Sequence, residues 1–174
     1  MTVADTRSFR ERLLIGQVFK SLVSVILEDA EYEVYPYGYE SVFAALKGQV
    51  AGIPDVDTLE RIRSMPDLLV LDLPDGKAYL AEVKYRAFFH PEDPPRIQAY
   101  QQHWPDSFLI VVTPEAPHFY AEAVSKIPSD QLDLQHFRRM HEVFTRIQWD
   151  ADSEGRWGLW VDRLAELWSS FRTP

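Results

Sequence analysis

Apolar residues recur at helical spacing near the N-terminus of the chain. They are Leu13, Leu14, Val18, Phe19, Leu22, Val25 and Ile26. Ser8 precedes Glu11 by three residues, which is the spacing of a capping box at the start of a helix. The pattern therefore predicts one amphipathic helix over residues 7–28, beginning near Asp5 or Ser8.

Three segments then show the patterns of strands. Residues 31–37 alternate and are rich in β-favouring side chains, and Pro36 places this strand at a sheet edge or marks its end. Residues 67–73 are apolar at most positions on both faces, which is typical of a central strand. A Pro-Asp-Gly turn at residues 74–76 connects this strand to a returning strand over residues 77–84.

The segments around these strands predict shorter elements. Between the first two strands we expect helical turns at residues 42–46 and 58–64, with a loop at 48–57. A proline-rich loop at residues 90–95 leads into a short helix that ends near His103. An apolar strand over residues 108–113 follows.

Beyond Pro114 the pattern is helical. We expect helices over residues 118–126, 130–147 and 157–171, with a loop or small hairpin at 149–158. The order is then helix, three strands, helix, strand and further helices. This order predicts an α/β domain with a mixed sheet flanked by helices and a right-handed crossover.

Composition narrows the class of protein. The 174 residues include 18 basic and 27 acidic side chains, and the net charge of −9 disfavours a protein that coats membranes or nucleic acid without specificity. The absence of cysteine excludes disulfides, thiolate zinc sites and a cysteine nucleophile. The apolar runs are shorter than a membrane span, and the N-terminus lacks the apolar core of a signal peptide. We expect a single-domain cytoplasmic protein that does not bind membranes.

The predicted hairpin brings charged residues together. A two-residue turn at residues 75–76 places Asp67 opposite Lys84 on the neighbouring strand. Residues that are opposed, or two apart on one strand, share a face of the sheet. Asp67, Glu82 and Lys84 are therefore expected to project from one face at one end of the hairpin, while Val83 points into the opposite layer.

Two carboxylates and an ammonium group in this arrangement suggest metal chemistry. Carboxylates that lie close together repel each other unless a cation intervenes, and hard divalent cations such as Mg²⁺ or Mn²⁺ prefer oxygen ligands. The lysine would add positive charge where a phosphodiester becomes more negative in the transition state. The simpler alternative is an exposed ion pair that contributes little to stability.

The sequence Met65-Pro66-Asp67, followed after fourteen residues by Glu82-Val83-Lys84, resembles the motif of the PD-(D/E)XK nuclease superfamily. The element order over about residues 8–113 also resembles the αβββαβ core of that restriction endonuclease-like fold, with residues 114–174 as a C-terminal helical extension. The resemblance implies that Asp67, Glu82 and the Val83 carbonyl bind Mg²⁺ or Mn²⁺. It also implies that Lys84 is the catalytic lysine and that the substrate is nucleic acid, which we expect to be DNA.

The first helix departs from the family pattern. Many members of the superfamily carry an acidic residue there, often in a glycine–glutamate context, whereas this chain has Gly16-Gln17. Glu11, about two turns earlier, is the candidate substitute. The departure weakens a two-metal mechanism and leaves a one-metal mechanism intact.

Weaker candidates for substrate binding surround the motif. Relatives often place a glutamine on the helix after the lysine strand, and Gln98 is preferred here over Gln101 and Gln102. Arg86 and Arg96 follow the motif and could contact phosphates, and Gln17 stands at the position of the family acid.

The sequence therefore supports three hypotheses. The first is a metal-dependent endonuclease or exonuclease that acts on nucleic acid. The second is a catalytically inactive domain of the same fold that serves in binding or assembly. The tryptophans near the C-terminus are expected to pack a terminal helix onto the sheet or to form a homodimer contact. The third is an unrelated α/β protein with a chance motif, which predicts that the three charged side chains do not converge.

Overall fold

A computed structural model of the chain describes residues 3–38, 56–89, 93–128, 130, 132–149 and 151–170. Its helices are α1 (Val3–Asp29), α2 (Val56–Arg63), α3 (Asp93–His103), α4 (Met140–Val143) and α5 (Ala151–Ser170). Its strands are β1 (Glu33–Pro36), β2 (Leu68–Asp72), β3 (Lys77–Tyr85), β4 (Phe108–Val112), β5 (Phe119–Ala123) and β6 (Arg138–Arg139). Two short 3₁₀ turns, Val124–Lys126 and Leu134–His136, lie between β5 and β6.

The six strands form one mixed sheet in which spatial order follows chain order, from β1 to β6. The β3–β4 pair is parallel and joined through α3, whereas the other neighbouring pairs are antiparallel. This arrangement confirms the predicted α/β class and the predicted order of helix, three strands, helix and strand. Pro36 lies in β1, at the edge of the sheet, where its missing N–H is tolerated.

One face of the sheet packs against α1. Phe19, Val23, Ile26 and Leu27 are almost fully buried, and their spacing of three or four residues places them on one side of the helix. They contact the inward side chains of the central strands, including Val83. We call this layer the α1-side core. Each fully buried side chain of this size stabilises the fold by about 1.5–3 kcal/mol.

The other face of the sheet packs against α3. Ile97 and Tyr100 of α3 form a second buried cluster with Leu109 and Val111 of β4, which we call the α3-side core. Ile110 of the same strand belongs to the α1-side core. Because both faces of β4 are covered, the strand is apolar at every position.

The connection between β2 and β3 is longer than predicted. Leu69 pairs with Leu80 and Asp72 with Lys77, so residues 73–76 form a four-residue turn and the two-residue prediction is wrong. Pro74 has no N–H to donate to the ladder, and Gly76 adopts a φ of +63°, which a glycine tolerates without strain. The register is displaced by two residues, so the prediction that Asp67 lies opposite Lys84 is also wrong, whereas the residues of β2 and β3 keep their predicted faces.

The segment after Pro114 is less helical than predicted. Residues 118–126 form β5 and a 3₁₀ turn, because Phe119 and Ala121 alternate into the α1-side core while the backbone pairs with β4. The helix predicted over residues 130–147 is replaced by a 3₁₀ turn, β6 and the single turn of α4. The C-terminal helix exists and begins at Ala151, so most of the loop predicted at 149–158 is helical.

Other boundaries moved less. Helix α1 begins a turn earlier than predicted, α2 occupies the turn predicted at 58–64, and α3 begins within the proline-rich segment at Asp93. The turn predicted at residues 42–46 and most of the loop at 48–57 lie outside the described residues. No helix in the described ranges combines the length and apolar character needed to cross a membrane.

Candidate active site

The residues of the predicted motif lie together at one end of the β2–β3 hairpin. Asp67 directly precedes β2, and Glu82, Val83 and Lys84 lie near the end of β3. The Val83 N–H donates a hydrogen bond to Asp67 Oδ2 at 3.1 Å. This bond ties together the two halves of the motif, which are separated by the fourteen residues 68–81.

Glu82 and Lys84 share a face of the sheet, as predicted. Glu82 pairs with Leu109 and Lys84 with Val111, and both partners belong to the α3-side core. Val83 belongs to the α1-side core. The sequence prediction that Val83 points away from the two charged residues is therefore confirmed.

The backbone before β2 holds Asp67 in place. The N–H groups of Tyr37 and Gly38 both donate to the Asp67 carbonyl, at 2.9 and 3.2 Å. A side chain at position 38 would begin 3.5 Å from Asp67 Cα, which is ordinary contact distance. The end of β1 thus fixes the main chain that carries the Asp67 carboxylate.

Glu82 is a buried carboxylate with two donors. Its side chain is 5% exposed and forms an ion pair with Lys84, whose side chain is 25% exposed. Tyr100 of α3 also donates a hydrogen bond to it. Burial raises the pKa of the Glu82 carboxyl, Asp67 raises it further, and the contacts with Lys84 and Tyr100 oppose the rise. A cation beside Glu82 therefore stabilises its charged form.

Tyr100 is a neutral hydrogen-bond donor in this environment. Burial raises the pKa of its hydroxyl well above the usual range, and the neighbouring Glu82 carboxylate adds to the effect. Tyr100 therefore keeps its proton and directs it at Glu82. Sequence reasoning selected Gln98 on this helix and missed Tyr100, although its spacing of three residues from Ile97 places it on the buried face of α3.

Lys20 of α1 is a second lysine in the site. Its Nζ lies 2.6 Å from Asp67 Oδ1, and the two side chains are 22% and 17% exposed. Lys20 was not predicted, although it is the only basic residue between Arg12 and Lys47. Gln17, at the position expected for the family's helix acid, is exposed and lies one helical turn before Lys20. The residue of α1 that contacts Asp67 is Lys20. The side chain of Glu11 lies outside the described residues.

Four charged groups thus form a balanced set, which we call the acid–lysine cluster: Lys20, Asp67, Glu82 and Lys84. Each acid contacts one lysine. Glu82 and Lys84 are in contact, and the hydrogen bond from the Val83 N–H holds the Asp67 carboxylate beside the same strand, where its charge raises the pKa of Glu82.

The oxygen atoms of the cluster suit a hard divalent cation. The N–H and C=O groups of one strand residue point toward the same neighbouring strand. The Val83 N–H donates to Asp67, so the Val83 carbonyl also points toward Asp67. Two carboxylates and one carbonyl, completed by water, are ligands that Mg²⁺ accepts. Among the described residues, no set of three or more histidine, aspartate or glutamate side chains gathers as a metal site. A cation would therefore depend on this mixed set.

The predicted substrate-binding role of Arg86 competes with an ion pair. Its guanidinium donates to both carboxylate oxygens of Asp93, at 2.9 and 3.2 Å, and to the Tyr85 carbonyl at 3.0 Å. Asp93 is buried and is the first residue of α3. Arg86 therefore anchors α3 to the end of β3.

The remaining candidates lie along α3. Gln98, Gln102 and Arg96 are exposed. The charge of Arg96 partly opposes the rise in the pKa of Tyr100, so Arg96 lies within electrostatic range of the site. Gln101 donates to the carbonyls of Val124 and Ile127 at 3.1 and 2.7 Å, so its amide holds the turn after β5.

Comparison with known proteins adds no assignment to this geometry. No protein-family model matches the chain, and a search of curated proteins also finds no match.

Proposed function

We propose that the chain is a divalent-metal-dependent nuclease of the PD-(D/E)XK type that hydrolyses phosphodiester bonds of nucleic acid, and we propose DNA as that nucleic acid. The observation that carries the proposal is the Glu82–Lys84 ion pair on β3, beside which the hydrogen bond from the Val83 N–H holds the Asp67 carboxylate. Asp67 and Lys84 remain partly accessible to solvent, as a substrate phosphate requires, whereas Glu82 is buried beneath them.

In this proposal Asp67, Glu82 and the Val83 carbonyl would hold Mg²⁺ or Mn²⁺. Such an ion, when bound, lowers the pKa of a water ligand and stabilises negative charge on the phosphate. Lys84 supplies a further positive charge beside the reacting phosphate. The Val83 N–H orients Asp67 and the Tyr100 hydroxyl orients Glu82, so the two carboxylates are positioned before substrate arrives.

A catalytically inactive domain of the same fold is the second candidate. The balance of charge in the acid–lysine cluster favours it, because Lys20 and Lys84 already neutralise both carboxylates. Such a domain would use the fold for binding or assembly and would not depend on a divalent ion at this site.

A cleavage assay separates the two candidates. The purified protein is incubated with supercoiled plasmid and with single-stranded oligonucleotide, in Mg²⁺ or Mn²⁺ and in a chelator. We expect metal-dependent cleavage by the wild type, and a loss of about 10²–10³-fold in Lys84→Met, as when one stabilising donor is removed from an active site. Asp67→Asn should lose activity as well.

Lys77→Met is the matched control. It removes an exposed lysine–aspartate pair, with Asp75, from the same hairpin, and should cleave like the wild type. Absence of cleavage under every condition, or equal activity in Lys84→Met and the wild type, would reject the nuclease and favour the inactive domain.

A further inference from the structure

Lys20 reaches the site from the opposite layer of the fold. It follows Phe19, whose ring stacks on Tyr85 of β3 with centroids 4.0 Å apart and planes 2° from parallel. Tyr85 in turn follows Lys84. This stacked pair fixes α1 against the end of β3, so the stem of Lys20 starts from a rigid position beside the motif.

Both carboxylate oxygens of Asp67 are engaged. Oδ2 accepts the hydrogen bond from the Val83 backbone, and Oδ1 contacts the Lys20 ammonium at 2.6 Å. The backbone donor is fixed by the pairing of β3 with β4. The lysine contact is held by a flexible side chain, so Oδ1 is the oxygen whose partner can change most easily.

A divalent cation on Asp67 would have to lie about 2.0–2.6 Å from a carboxylate oxygen. At that position it would stand within a few ångströms of the Lys20 ammonium, and two like charges so close repel each other. The ion and the ammonium therefore cannot both occupy their best positions on this carboxylate.

We infer that Lys20 competes with the divalent cation for Asp67 and thereby sets the metal affinity of the site. Its importance for catalysis rests on the proposed function, whereas the competition itself is a property of the acid–lysine cluster. Lys84 differs because it contacts the buried Glu82, whose charged form needs a nearby cation.

Calorimetric titration of the full chain with Mn²⁺ alone tests the inference. Lys20→Met is expected to bind Mn²⁺ at least about tenfold more tightly than the wild type, which corresponds to about 1.4 kcal/mol. Lys20→Arg keeps the charge and should stay within about twofold of the wild type. A purely structural role for Lys20 would instead leave the affinity equal or lower it.

Two controls keep the result interpretable. Lys20→Gln repeats the loss of charge if Lys20→Met folds poorly, and Lys77→Met removes a lysine outside the site and should bind like the wild type. Equal or weaker Mn²⁺ binding in both Lys20→Met and Lys20→Gln overturns the inference.

The outcomes also distinguish this inference from the proposed function. Tighter binding in Lys20→Met together with no cleavage of nucleic acid supports the competition and rejects the nuclease. Metal-dependent cleavage by the wild type together with unchanged affinity in Lys20→Met rejects the competition alone. If no variant binds Mn²⁺, both are rejected.

Discussion

Replacing Arg86 with methionine is expected to destabilise the fold by about 2–4 kcal/mol. The change removes two guanidinium hydrogen bonds from Asp93, a carboxylate that is 5% exposed. Breaking a buried ion pair from one side costs about 3–5 kcal/mol. The Arg86 side chain is 21% exposed, and the N-terminus of α3 stabilises the remaining negative charge by about 0.3–1 kcal/mol, so the expected cost is lower.

Urea unfolding of four proteins measures the effect: the wild type, Arg86→Met, Asp93→Asn and the double variant. The loss of unfolding free energy in the double variant should be smaller than the sum of the losses in the two single variants. Either single substitution already breaks the Arg86–Asp93 pair, so the second has no pair left to break. The melting temperature of Arg86→Met should fall by about 4–16 °C, at about 2–4 °C for each kcal/mol in a domain of this size. Lys77→Met, in the exposed pair with Asp75, should unfold at the wild-type midpoint.

The result also decides which role Arg86 has. An Arg86→Met variant with wild-type stability, and with a weaker salt dependence of DNA binding, would refute the structural role. It would identify Arg86 as a phosphate contact, as the sequence suggested.

Two further predictions concern the second half of the sheet and the last helix. Burial alone would raise the pKa of Glu122, but hydrogen bonds from Arg138 and a backbone N–H lower it below its ordinary value of 4.5. The Glu122 carboxylate therefore stabilises the fold above pH 4.5. This contribution is lost as the pH falls through the lower pKa of the folded state. Glu122→Gln should therefore cost about 1 kcal/mol at pH 7, a difference that shrinks in urea melts below about pH 4. Gly158→Ala should destabilise the fold by about 1–3 kcal/mol in thermal unfolding, because its Cβ would lie 2.8 Å from the buried His118 ring. Gly155→Ala in the same helix has no such neighbour within 4 Å and should stabilise the fold by about 0.5–1 kcal/mol. A stable Gly158→Ala variant, or a pH-independent effect of Glu122→Gln, would contradict these contacts.

Local patterns explain what the sequence could predict about the fold. The period of α1 and the apolar character of β4 follow from burial on one side or on both sides, so each is visible within one segment. Strand β5 is different, because Phe-Tyr-Ala-Glu-Ala contains good helix formers and becomes a strand through pairing with β4. That pairing depends on partners outside the segment, which a local pattern does not contain.

In the site, too, some features follow from a local pattern and others depend on partners distant in the sequence. The shared face of Glu82 and Lys84 follows from the two-residue period of a strand, and it survived an error in the turn because the register moved by an even number. Lys20 and Tyr100 reach the motif through the docking of α1 and α3 on opposite faces of the sheet. Neither contact could be predicted from spacing within the motif.

A crystal structure of the protein grown with millimolar Mn²⁺, with data collected at the manganese absorption edge, examines the acid–lysine cluster most directly. We predict an anomalous peak within about 2.5 Å of carboxylate oxygens of both Asp67 and Glu82 and of the Val83 carbonyl, with the Lys20 ammonium displaced from Asp67. Well-ordered crystals with no manganese peak at these oxygens, and with Lys20 still on Asp67, would show that this end of the sheet is not a metal-dependent active site.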